Sequence, residues 1–189
     1  MKYGIAILIL AMVFTAGCGR AVRQEPKGIL FKDDVAFLKQ HTQVVVLSSE
    51  DGRARVAVNP DLQGRVMTST AAGDEGLSFG WINRALLASS ENNVHMNAFG
   101  GEDRFWLGPE GGQFSIFFKK GEPFDLDHWF TPPPLNEGAY EIAAREREWI
   151  RFTKAIRLVN YSGTEFDLAL NREIRLLSSE AVMSLGIPL

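Results

Sequence analysis

The residues best suited to chemistry crowd into one glycine-bounded stretch, Phe99-Gly100-Gly101-Glu102-Asp103-Arg104-Phe105-Trp106-Leu107-Gly108-Pro109-Glu110-Gly111-Gly112-Gln113. Read as a short strand between glycine corners, it presents Arg104 and Trp106 on one face and Asp103, Phe105 and Leu107 on the other. A guanidinium beside an indole and several carboxylates is a surface that can hold a sugar, since aromatic faces pack on CH groups and charged forks bond hydroxyls. A structural reading stands equally beside it, with Trp106 in the core and Arg104 pairing with Glu102 or Glu110 to pin the turns. A glycosidase needs two carboxylates flanking one bond. Adjacent residues of an extended segment point apart, so Glu102 and Asp103 cannot both serve, and Glu102 with Glu110 across the turn is the pair left. The second candidate is His128-Trp129, an imidazole able to move a proton near neutral pH beside a platform for a pyranose, weighed against a His merely packed in an aromatic loop. Asp125, Asp127 and His128 lack partners at a known ligand spacing, so no metal is assigned, and no cofactor is expected. His41 and His95 stand alone and read as structural. The chain has no Gly-x-Ser-x-Gly elbow, Walker loop or Rossmann fingerprint.

These candidates sit on a chain that carries an export address. Lys2 precedes the apolar run from Ile5 to Phe14, too short to span a bilayer and suited to a signal-peptide core. Thr15-Ala16-Gly17 then leads into Cys18, the chain's single cysteine, in a lipobox arrangement with Thr15 where the pattern usually has Leu. The reading is a signal peptide over residues 1–17, lipidation of Cys18, a polar tether over 18–28 and one domain over 29–189. Gly19 after Cys18, rather than Asp, favours sorting to an outer membrane, with the protein facing periplasm or exterior. Loss of Lys2 with the signal leaves 19 basic against 23 acidic residues, a net charge of −4. With no basic block either, nucleic acid is not an expected partner. The expected partners are a carbohydrate and, through the N-terminal lipid, a membrane.

The elements that must position the candidates are mostly strands. Phe31 to His41 reads as one small helix with Asp33 or Asp34 as cap and Val35 and Leu38 on one side. Val44 to Leu47, Arg53 to Val58 and Gly64 to Thr70 follow period two, with Asp51-Gly52 as the hairpin signal between the first pair. Phe79 to Ala88 reads as a helical turn, and Phe114, Ile116 and Phe118 as one face of a short strand. The long loop from Gly121 to Gly138 holds Phe124, His128, Trp129 and Phe130, enough aromatics to argue for order. Ile150 to Leu158 and Phe166 to Leu176 alternate apolar and polar residues around an Asn160–Gly163 turn, as two antiparallel strands each with one wet face. The fold expected is mainly β, an antiparallel β-sandwich with one or two short helices. Ala181 to Leu189 reads as a fresh strand entry, which marks the chain as a truncated product.

The segments Gly64-Arg65-Val66-Met67-Thr68-Ser69-Thr70 and Phe99 to Gly112 resemble the amino-terminal half of a group of uncharacterised bacterial lipoproteins. These are similar to the galactose mutarotase-like superfamily of aldose 1-epimerases, carbohydrate-binding β-supersandwiches. The likeness covers most of the mature chain, and its specific part is the Gly-Gly-Glu-Asp-Arg-Phe-Trp-Leu-Gly-Pro-Glu stretch from Gly100 to Glu110. It implies part of a supersandwich, a missing carboxy-terminal half, and Arg104 as a sugar contact. The epimerases' Asn-His-x-Tyr-Phe-Asn box is absent, no His here matches their general acid, and their basic Glu would fall in the missing half. Asn83-Arg84 has the residue types of their sugar-binding pair in different surroundings, so nothing is carried over to it. Three functions remain open: a lipid-anchored carbohydrate binder lined by Glu102, Arg104, Trp106, His128 and Trp129; a sugar epimerase, lyase or hydrolase with catalytic residues partly in the missing half; and a structural envelope protein.

Overall fold

The computed structural model describes residues 28–89 and 91–187. The expected signal of residues 1–17, Cys18 and all but the last residue of the expected tether lie outside the described residues. No helix among the described residues is long and apolar enough to cross a membrane.

Helix α1 spans Phe31–His41 as its periodicity predicts. It buries Phe31 and Val35 against Ala57, and Leu38 against Met67 and Ile82. The expected Asp cap is not formed. Leu30 takes the N-cap position without a side-chain bond. Asp33 stays exposed in the first turn, and Asp34, 2% exposed, turns into the protein. There it accepts from Ser78 Oγ at 2.5 Å and pairs with Arg84 Nη2 at 2.5 Å. A tertiary cation outcompetes the helix's own N–H groups for that carboxylate.

The first sheet is an antiparallel meander of β1 (Val45–Ser48), β2 (Arg55–Asn59) and β3 (Arg65–Thr70). Asp51 closes the first turn by accepting from Ser49 Oγ and the Arg53 N–H. Its two faces differ. Val46, Ala57 and Met67 look toward α1, whereas Val45, Leu47 and Val58 look toward the second sheet.

That second sheet is β4 (Glu141–Arg145), β5 (Trp149–Val159) and β6 (Glu165–Arg175), also antiparallel and in sequence order. β5 and β6 pair without a break from Trp149–Arg175 to Val159–Glu165. In β5, Ile150, Phe152, Ile156 and Leu158 are buried and Arg151, Ala155 and Arg157 exposed, the alternation that made this strand legible. Ile150, Phe152 and Tyr140 join Val45, Leu47 and Val58 in one cluster, so side chains of both sheets share a core. At the other end of β5, Ile156 and Leu158 pack with Ile116, Phe117, Phe118 and Leu135. The molecule is mainly β, and the four α-helices among the described residues are short, at most 11 residues.

Three expected strands are not strands. Residues 102–107 and 114–118 are irregular. Ile116, Phe117 and Phe118 are buried consecutively while Phe114 is exposed, because this coil wraps the end of β5 and bonds to loops. Tyr161 N–H donates to Ser115 O and Phe130 N–H to Phe117 O. The third, at the C-terminal end, is replaced by α4 (Ser179–Ser184), which starts where Ser178 Oγ accepts from the Ala181 N–H. β4 and the short helices α2 (Arg84–Ala88) and α3 (Pro133–Asn136) complete the set. The aromatic loop is tied down at its end by Lys154 Nζ, which donates to the carbonyls of Pro134, Glu137 and Gly138.

Candidate functional site

β3 is an edge strand, and residues 99–103 cover it as a strap. On one side of the strap the Asn83 N–H donates to Phe99 O at 3.0 Å and the Gly101 N–H to Trp81 O at 2.8 Å. On the other the Glu102 N–H donates to Val66 O at 2.8 Å, and Asp103 Oδ1 accepts from the Val66 N–H at 2.7 Å. Only glycine fits the strap's middle. Gly100 and Gly101 have φ of +88° and +107°. A Cβ on Gly100 would fall 2.2 Å from Trp81 O, and one on Gly101 would fall 2.7 Å from Arg65 Cδ.

The strap forms one wall of an open hollow of about 380 Å³, lined also by Arg65, Trp81, Asn97, Glu102, Asp103 and Arg104. Trp81 leaves 64% of its surface exposed there. Arg65 is 4% exposed; its Nη1 donates to Gly100 O at 2.7 Å and its Nη2 to Gln63 Oε1 at 3.0 Å, while its Nε has no partner. Burial, then the charge of Arg104 and that of Arg172, push the Arg65 guanidinium down to about 10, with Asp103 opposing. It remains a cation at neutral pH.

The Arg104 guanidinium lies over the Trp106 ring, its Cζ 4.1 Å from the ring centroid. Its Nε is buried without a partner, and no side chain or carbonyl among the described residues accepts from its guanidinium. Neither expected turn partner is used. Glu110 accepts instead from Trp106 Nε1 at 2.6 Å, and Glu102 accepts from Ser69 Oγ at 2.8 and 2.9 Å. Burial lowers the Arg104 pKa from its ordinary 12.5, against the pull of Glu110. Asp103 is spoken for by Arg172 Nη2, whose Nε donates to Gly64 O at 3.1 Å.

The five sequence candidates therefore divide. Glu102 and Arg104 line the hollow, and Trp106 forms the floor under Arg104. Trp106 also packs on Phe117 at 4.9 Å and approaches Trp129 at 6.4 Å, while Trp129 stacks on Phe117 at 5.6 Å and 5°. Trp129 thus belongs to the aromatic core behind the floor, with its carbonyl 2.6 Å from His95 Nδ1. His128 is not brought to the hollow. It pairs with exposed Asp125 at 2.5 Å and Glu122 at 3.3 Å, which raise its pKa above the ordinary 6.5, the bond to Asp125 most. No group of three or more His, Cys, Asp or Glu among the described residues is placed to hold a metal ion.

Sequence reasoning missed Trp81 and Arg65 as lining the hollow with Arg104, and Arg172 as the partner of Asp103. A cation inside the strand pattern of β3 was the available signal for Arg65.

No curated protein and no solved structure matches this chain. A family model does match, over residues 29–188, and its description is "Family of unknown function (DUF6786)". Because that match takes in the α1 helix, both sheets and the strap that walls the hollow, the chain belongs to the DUF6786 family.

Proposed function

We propose that this protein binds a carbohydrate in the hollow between Trp81 and the Arg65–Arg104 pair. The supporting observation is Arg104: a guanidinium over an indole, with no hydrogen bond to a side chain or carbonyl among the described residues, lining the same hollow as a second, largely exposed indole. Flat apolar surface suits the CH face of a pyranose, and in-plane donors suit its oxygens. Binding is favoured over catalysis because the carboxylates at the hollow are already engaged, Glu102 by Ser69 and Asp103 by Arg172 and the Val66 N–H.

In the same reading, the sheets that share a core stack as a sandwich, and Cys18 carries a lipid that holds the domain at the cell envelope, at an outer membrane. Isothermal titration of the full chain against neutral and acidic oligosaccharides tests the binding claim. Heat should evolve with at least one sugar, and Trp81→Ala and Arg104→Ala should each weaken it by about tenfold or more. Absence of heat with every sugar contradicts it. Lipidation is checked by fatty-acid labelling, which Cys18→Ser should abolish.

A further inference from the structure

Trp81 has a second exposed aromatic ring two residues before it, Phe79, and the packing of their segment turns both the same way. Residues 77–82 run beside β3. The Phe79 N–H donates to Ser69 O at 3.0 Å and the Gly80 N–H to Thr68 Oγ1 at 3.1 Å, while Leu77 bridges to Leu30 and Ile82 to Gly100. The even positions face inward. Ser78 Oγ meets Thr68 and Asp34, a Cβ on Gly80 would fall 2.1 Å from Met67 O, and Ile82 packs with Leu38 and Met67. Phe79 and Trp81 are thereby left to solvent, 62% and 64% exposed. Trp81 lines the hollow, and Phe79 extends the aromatic row beyond its wall. The Ser69 that receives the Phe79 N–H also holds Glu102 through its hydroxyl, so an exposed carboxylate lies beside the row. That carboxylate argues against a lipid surface as the occupant, since a bilayer over the row would strip it of water. Two rings also fall far short of the roughly 800 Å² per partner that a stable protein interface covers. An extended sugar chain suits both the narrow apolar row and its polar flank.

We propose that the ligand of this site is an oligosaccharide chain, with one ring packed on Trp81 in the hollow and the next on Phe79. The inference rests on the carbohydrate reading above and specifies its substrate class, a glycan chain as against a free monosaccharide. Successive pyranoses of a chain repeat the same CH face, which is what two aromatic rings on one segment can match in turn. Hydroxyls along the edge of the chain meet Glu102, whose carboxylate keeps acceptor sites beyond the one bonded to Ser69. Gly80 fixes the arrangement: any side chain there would push the segment off β3 and carry both rings with it.

The test is isothermal titration of the full chain with three neutral series, the cello-, malto- and chito-oligosaccharides, each from one ring to four. In at least one series affinity should rise about tenfold or more between one ring and four. Phe79→Ala, at an exposed side chain outside the core, should bring one ring and four within about twofold, and Phe79→Trp should restore the difference. Affinity independent of ring number in the unaltered protein overturns the chain proposal and leaves sugar binding standing. Absence of heat with every sugar overturns both. A length dependence that Phe79→Ala leaves intact puts the second ring elsewhere and also overturns the proposal. Vesicles of phosphatidylcholine and phosphatidylglycerol are run with the Cys18→Ser chain, whose sedimentation with them should not depend on Phe79. Vesicle binding that Phe79→Ala abolishes assigns the row to a membrane surface and overturns it too. The ring-number comparison needs no variant, so a misfolded mutant does not blunt it.

Discussion

The proposed binding site turns on Arg104. Its two neighbouring glutamates were the natural pairing partners in the sequence, and both are diverted, Glu102 to Ser69 and Glu110 to the Trp106 indole. A Lys at this position would keep the charge and lose the planar fork. Arg104→Lys should therefore impair sugar binding nearly as much as Arg104→Ala, as measured by titration calorimetry. His128 follows a separate rule. Its bond to Asp125 raises its pKa above 6.5 and lowers that of Asp125 below 3.8. The stabilisation from protonated His128 is thus fully present below about pH 6.5 and fades as pH climbs through the raised value. The carboxylate's share is present above about pH 3.8 and fades as pH falls through the lowered one. An NMR titration should place the His128 midpoint above 6.5, and Asp125→Asn should return it toward 6.5. Arg104 was legible as a lining residue of the hollow because glycines, a Trp and acids surround it locally. Arg65 and Trp81 reach it only through the strap, and no local pattern encodes a partner more than fifteen residues away.

At the scale of elements, α1, β5 and β6 were legible because each repeats one period long enough to mark a face. The 114–118 coil defeated the same logic. Its apolar residues alternate in part, yet its backbone bonds to the 130 and 161 loops instead of a strand. β4 was missed since Ile142 and Ala144 give a weak apolar face. The strap depends on its glycines: Gly101→Ala combines positive φ with a collision against the Arg65 stem. It should cost about 1–3 kcal/mol in denaturant unfolding and weaken sugar binding with it. Asp34 ties α1 to the segment that enters the hollow at Trp81, through Ser78 and Arg84. Asp34→Ala should cost about 2–3 kcal/mol by the same measurement.

For the whole molecule, the mainly β character was legible in period-two patterning, whereas the meeting of the two sheets was not, since it depends on which faces turn inward. Phe152 marks that meeting: it is fully buried among residues of both sheets and lies against Gly64 at the head of β3. Phe152→Ala should cost about 3–5 kcal/mol, and loss of one cooperative transition would show the sheets unfolding separately. The same packing sets Arg172 of β6 beneath Asp103, so the second sheet supports a hollow built on the first. The most direct measurement is an NMR titration of the isotope-labelled full chain with neutral and acidic oligosaccharides, following the indole N–H signals of the four tryptophans. The Trp81 signal should move with saturating dependence on sugar, joined by the Arg104 Nε–H, while Trp149, flanked by Arg151 and Arg175, stays fixed. A stationary Trp81 with every sugar, or movement confined to Trp149, would contradict the account.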